Sequence, residues 1–233
     1  MKPSEYQQLA GRTECTQENS MMRMATGWGQ AMGLPCGLPN SSRELMAIRF
    51  NHSVIGMAGE VGEIAELFMN RNTGKEQLTL EVGDLLWYMA EGMNALSINM
   101  DSVFLNTPHY EFKSSDECLQ GLMMEVGALA SQLQKWVYYG KYNPTERVDS
   151  FHSTVWNKFA KLLGWVKAML DLLQIPLKTV MIANIAKLKA RYPDKYSDYH
   201  AAEENRDRPK EEAEAKKATE VGHGPIDAEI DQA

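Results

Sequence analysis

Cysteine is scarce in this chain. Three cysteines occur in 233 residues, Cys15, Cys36 and Cys118, far apart and with no C-x-x-C pair. An odd, scattered set argues against a disulfide framework and against a cysteine-based zinc site; the thiols read as plain structural side chains. No run approaches the ~20 apolar residues that a spanning helix needs. The opening MKPSEYQQLA has no apolar signal core, so a cytoplasmic location without a membrane partner is expected. A basic excess is also missing. Lys and Arg number 24 against 31 Asp and Glu, for a net charge of −7, which argues against a nucleic-acid polymer as partner, since that needs a basic face. A small anionic substrate stays open, because a bound metal reverses the local field. Strand-like alternation is nearly absent.

What is present is helical periodicity. Hydrophobic residues make up 44% and charged residues 24% of the chain, enough for a sizeable core. One or two short helices are expected over 4–31, then a Gly- and Pro-rich loop, GLPCGLPN, over 33–40. Ser41 with Glu44 reads as a capping box opening a long helix, with Ile48, Ile55, Ala58, Val61, Ile64 and Phe68 as its apolar stripe. A turn at 72–74 precedes a second helix carrying Leu78, Val82, Leu85, Met89, Met93 and Leu96. A connector over 106–115 leads to a helix of about 116–139, with Ser114 and Glu117 as capping box and Gly140 as C-cap. Asn143 and Pro144 suit the start of the next helix, to about Leu173. Pro176 breaks it, a last helix covers about 177–191, and Pro193 closes the folded part. One domain, 1–199, is expected. The remainder, 200–233, is too poor in apolar residues to offset its ordering entropy, and is expected as a disordered charged tail or a frayed helix.

The two halves resemble each other. GMAGEVGEIA (56–65) can be laid on GLMMEVGALA (121–130), and DLLWYMAEGMNALSINMDSV (84–103) on KLLGWVKAMLDLLQIPLKTV (161–180) without a gap. Repeat one covers about 42–105 and repeat two about 116–192. Each half is expected to be a helical hairpin, and two hairpins packed together make a four-helix-bundle-like core. The repeats differ chemically. Glu60 corresponds to Glu125, but Glu63 corresponds to Ala128, Glu81 to Lys158 and Asp84 to Lys161. The second half is degenerate and cannot form the same cation site.

Glu60 and Glu63 lie three apart on one helix face, and Glu81 and Asp84 repeat this on the next helix. Four carboxylates facing one another repel unless a divalent cation resolves the conflict, and Mg²⁺ suits hard oxygen ligands and substrate phosphates. The acids border the core stripes, and neither helix offers Lys or Arg at i+4 to them. Gly56, Gly59, Gly62 and Gly83 sit among them, which suggests close approach of a backbone or ligand. Mn²⁺ is the natural substitute ion.

GEVGEIAELF (59–68), EVGDLLWY (81–88), NIAKLKARYP (184–193) and the opening EYQQLAGRT (5–13) together resemble the MazG-like, all-alpha nucleoside triphosphate pyrophosphohydrolase superfamily, in its phage and bacterial form. The resemblance spans about 5–199. It implies an all-α fold, here a fused MazG-like pseudo-dimer, and cleavage of a nucleoside triphosphate between the α and β phosphates to give a monophosphate and pyrophosphate. It implies Mg²⁺ held by Glu60, Glu63, Glu81 and Asp84, one of which orients or deprotonates the attacking water.

Asn184, Lys187 and Arg191 share one helix face at spacings of 3 and 4, suited to phosphate oxygens. Lys75 at the turn between the acidic helices is a weaker candidate for the same role. Asn51, His52, Trp87 and Tyr88 are candidates for contacting the base. Simple members carry all motifs in one repeat and build their sites at a dimer interface, whereas this chain separates them: its first half ends at VFLNTP (103–108) without an N-x-x-K-L run. Self-sufficiency and homodimer formation both stay open. The competing reading is a non-enzymatic helical module that binds a nucleotide or a protein. A di-iron carboxylate bundle wants Glu-x-x-His pairs, and neither acidic helix has one.

Overall fold

The structure, a computed structural model, describes residues 1–13, 42–70, 74–111, 114–137 and 148–221. Among these residues the chain is all-α, with no strand. The elements are α1 (Pro3–Ala10), α2 (Ser42–Met69), α3 (Lys75–Ala95), α4 (Met100–Leu105), α5 (Ser115–Val137), α6 (Val148–Leu172), α7 (Leu177–Arg191), α8 (Asp198–Ala201) and α9 (Arg208–Val221), with short 3₁₀ turns at Gly11–Thr13 and Glu203–Asn205. The expected helix within 14–31, the 33–40 loop, Ser41, Asn72, Gly140, Asn143, Pro144, Cys15 and Cys36 lie outside the described residues. No single helix among those described is long and apolar enough to cross a membrane.

The core forms where apolar stripes meet. On α3, Leu78, Val82, Leu85, Met89, Met93 and the following Leu96 are all buried, as their spacing predicts. On α2 the expected stripe is displaced. Phe50, Val54, Met57, Val61 and Ile64 are buried, whereas Ile55 is 60% exposed and Ala58 is also exposed. Both sets have helical spacing, and packing against α3 and α5 selects the first. Helices α2 and α3 pair, α5 and α6 pair, and α2 also packs on α5. Phe50 closes the centre edge-on against Phe151 and Phe159. Cys118 is buried, as a structural thiol should be.

The two hairpins carry parallel features. The ring of Tyr88 lies so close over Gly56 that a Cβ there would sit 2.1 Å from it, and the ring of Trp165 covers Gly121 at 2.2 Å. The turns that close α3 and α6 carry Ser97 and Gln174, each with φ of 55°. The following isoleucines return the same bond: Ile98 N–H donates to the Met93 carbonyl at 2.8 Å and Ile175 N–H to the Leu170 carbonyl at 2.9 Å, the arrangement that closes a helix through a left-handed residue. The third helices cross over. Helix α4 packs on α6, and α7 packs on α3.

Expectation fails at the C-terminal end. Residues 201–221 are not a solvated tail, and Pro193 does not close the fold. Helix α9 packs along α7, burying Ala215 and Glu211. Composition misjudges this segment because its burial depends on the partner helix α7 rather than on its own apolar content. Glu211 accepts from the Arg206 guanidinium at 2.7 Å, and Lys216 reaches Glu76 at 2.9 Å. Residues 222–233 lie outside the described residues.

Two substitutions test the caps and the ring-on-glycine contacts. Gln174→Gly relieves the left-handed strain and is expected to stabilise the fold by about 0.5–1 kcal/mol. Gly121→Ala forces the Trp165 ring aside and should cost about 1–3 kcal/mol. Urea midpoints at constant m-value measure both.

Candidate metal centre and nucleotide cavity

Pairing of α2 with α3 through their apolar stripes leaves Glu60, Glu63 and Glu81 on one rim of the interface. One carboxylate oxygen from each lies within 4.8 Å of the others. Glu81 is largely buried and accepts a hydrogen bond from the Gln77 side chain one turn earlier. Asp84 belongs to the same rim but is held separately. Its carboxylate pairs with the Lys187 ammonium and accepts from Asn184 Nδ2 at 2.9 Å.

Asn184 is itself fixed from behind: the buried Tyr6 hydroxyl donates to its Oδ1 at 2.8 Å. Gly83 permits this approach, since the Asn184 Cβ stands only 3.0 Å from where a side chain at 83 would begin. By contrast, Gly59 and Gly62 face open space, so close packing does not explain them.

Burial and crowding act on two of these acids, Glu60 and Glu81. Burial, with the charges of Asp84, Glu63 and Glu81, pushes the Glu60 carboxyl from 4.5 up to about 8, against the pull of Lys187. Glu81 is raised as well, first by burial, with Gln77 opposing. An all-oxygen set of converging acids that holds a proton near neutral pH fits a hard divalent cation such as Mg²⁺ or Mn²⁺. Glu60, Glu63 and Glu81 could hold it directly, with Asp84 beside them.

The acids form one end of a cavity of about 490 Å³, within the range of small-molecule sites. His52, Trp87 and Tyr88 line it too, as do Lys187, Arg191, Arg206 and Arg208. The aromatic wall is built edge to face. Trp87 and Tyr88 lie 4.8 Å apart at 81°, and His52 meets Tyr88 at 5.5 Å. Trp87 Nε1 donates to Thr13 Oγ1 at 2.8 Å, so the N-terminal turn holds this wall.

His52 Nδ1 sits 2.8 and 2.9 Å from the two oxygens of the buried Glu91. That contact places the hydrogen on Nδ1 and leaves Nε2 as the other functional atom of the ring. Burial works against a charge on His52, but the hydrogen bond and charge of Glu91 outweigh it and hold its pKa above the ordinary imidazole value.

The expected site residues therefore divide. Glu60, Glu63, Glu81, Asp84, His52, Trp87, Tyr88, Lys187 and Arg191 share the cavity. Asn184 is buried beneath it and orients Asp84. Arg191 lines it, but two of its nitrogens donate to the carbonyls of His200 and Ala201. Asn51 is buried outside the cavity lining, because consecutive helical residues point about 100° apart. Lys75 is exposed at the start of α3 and borders a neighbouring groove instead.

Several supporting residues escape sequence reading. Glu91 carried a usable signal, since it lies seven residues after Asp84 on the same face of α3. Gln77 carried one too, four residues before Glu81 on the same helix. Tyr6 and Thr13 carried none, because their partners are distant in sequence, and Arg206 and Arg208 reach the cavity only through the packing of α9. Comparison of the chain with protein-family models, curated proteins and solved structures finds no match.

The raised Glu60 pKa sets a pH test. The folded chain holds this proton more tightly than the unfolded chain does. The stabilising contribution is therefore complete below 4.5 and is lost as pH rises through about 8. A bound cation replaces the proton and restores that stability. The increase in Tm on adding Mg²⁺ to chelator-treated protein should be small near pH 5 and grow toward about pH 8.5. A pH-independent increment would contradict ion binding at these acids.

Proposed function

We propose that the chain is a Mg²⁺-dependent nucleoside triphosphate pyrophosphohydrolase, similar to the MazG-like all-α enzymes, producing a nucleoside monophosphate and pyrophosphate. The observation that carries this reading is the convergence of Glu60, Glu63 and Glu81 at one end of a cavity whose other walls are cationic and aromatic. Acids alone would suit many cations. Acids beside Lys187, Arg191, His52, Trp87 and Tyr88 suit a polyphosphate joined to a planar base.

When bound, Mg²⁺ neutralises charge developing on the phosphates and positions the attacking water. The chain's own residues do the rest. Glu60, Glu63 and Glu81 would hold the ion, with Asp84 beside them, and one of these carboxylates would accept the proton of the water. Lys187 stands against Asp84 on the phosphate side, and Asn184 keeps that aspartate in one orientation. His52, fixed by Glu91, contacts the base through Nε2, with Trp87 and Tyr88 supplying an aromatic wall.

The same reading treats the fold as a fused pseudo-dimer. Supporting it are the matched ring-on-glycine contacts, the matched left-handed caps 77 residues apart at Ser97 and Gln174, and the exchange of third helices. In the second half, Glu125 meets Lys158 at 3.2 Å, so an internal ion pair stands where the first half gathers acids. Tyr110 stacks on Trp165 with centroids 4.1 Å apart, closing the counterpart of the aromatic wall. One live site per chain follows.

The test is pyrophosphate release from a panel of ribo- and deoxyribonucleoside triphosphates with Mg²⁺. Wild type should turn over at least one, and Glu63→Ala should lower kcat/KM by about 100-fold or more. Nucleotide binding without turnover of any member would favour a non-enzymatic binding module.

A further inference from the structure

The outer wall of the cavity comes from a part of the chain that no motif covers. Tyr196, Arg206, Arg208, Glu211 and Glu212 line it from the segment leading into α9 and from the first turns of that helix. The segment is tied to α7 and braced within itself. Arg191 on α7 donates to the carbonyls of His200 and Ala201 at 3.3 and 3.1 Å. Arg206 makes a two-pronged contact with Glu211, Nε to Oε1 at 3.2 Å and Nη2 to Oε2 at 2.7 Å, and the Glu211 side chain is only 3% exposed. A desolvated, bidentate pair of this kind fixes position.

The four cations lining the cavity are not equally available. Lys187 is committed to Asp84, Arg191 to two carbonyls and Arg206 to Glu211. Arg208 differs. Its guanidinium meets Glu203 at 2.6 Å, but the two side chains are 58% and 64% exposed. Exposed pairs of this kind contribute little and exchange readily. Arg208 is also the first residue of α9, so its backbone is anchored while its fork rests on an exposed partner.

We propose that Arg208 is a phosphate-binding residue. It leaves Glu203 to grip the distal phosphates of the polyphosphate chain, and Arg206, Glu211 and α9 position it. This rests on the hydrolase reading for the substrate class and extends it to a segment outside the family resemblance. Glu203 then competes with the ligand for the same guanidinium.

The experiment is calorimetric titration of the full chain with inorganic tripolyphosphate in the presence of Mg²⁺, alongside KM and kcat for a turned-over nucleotide. Arg208→Gln should weaken tripolyphosphate binding roughly ten-fold or more and raise KM in step. Arg208→Lys should fall between, keeping the charge but losing the fork. Glu203→Gln should tighten binding, because it releases Arg208. A residue that merely stabilised the turn would move both variants in the same direction. Unchanged affinity in Arg208→Gln, in an enzyme that still turns over nucleotide, overturns the role of Arg208 and leaves the hydrolase reading intact. A wild type that neither binds tripolyphosphate nor turns over nucleotide overturns both.

Discussion

Like-charge crowding between α2 and α3 is the constraint around which this molecule is organised. Two unit charges 4 Å apart oppose each other by about 4 kcal/mol at an effective dielectric near 20, and three carboxylates meet here with a fourth alongside. The surroundings relieve the strain by degrees. Lys187 and Asn184 take up Asp84, Gln77 supports Glu81, and Glu60 retains a proton. Each is a partial answer, and the proposed divalent cation would complete it. The second hairpin meets the same problem differently. There Glu125 faces Lys158, and no ion is called for.

Support for the site arrives from both ends of the described chain. Helix α1 sends Tyr6 beneath Asn184, and the turn after it sends Thr13 to Trp87. From the other side, α7 supplies Asn184, Lys187 and Arg191, and the segment into α9 forms the outer wall. The central helices carry the acids and the aromatic wall, while long-range contacts set their geometry. Tyr6 and Asn184 are 178 residues apart in sequence, so the site is a product of the whole fold rather than of one hairpin.

This explains what could and could not be read beforehand. The acids were legible because helical spacing alone puts Glu60 with Glu63 and Glu81 with Asp84. The α3 stripe was legible because it had one apolar face. The α2 stripe was not, since Ile55 and Ala58 compete with Phe50 and Val54 at the same spacing and only the partner helices choose. The separate restraint of Asp84 was hidden because its partners lie on α7. Helix α9 was hidden for a different reason. Apolar content measures what a segment can bury by itself, whereas α9 lies along α7, with Ala215 and Glu211 buried in the folded chain.

The central claim concerns one point in space, and anomalous scattering can locate it. Crystals grown with Mn²⁺ should show a strong anomalous peak about 2 Å from carboxylate oxygens of Glu60, Glu63 and Glu81, and Glu63→Gln should weaken or abolish it. Full Mn²⁺ occupancy elsewhere, with these three side chains turned apart and unliganded, would contradict the account.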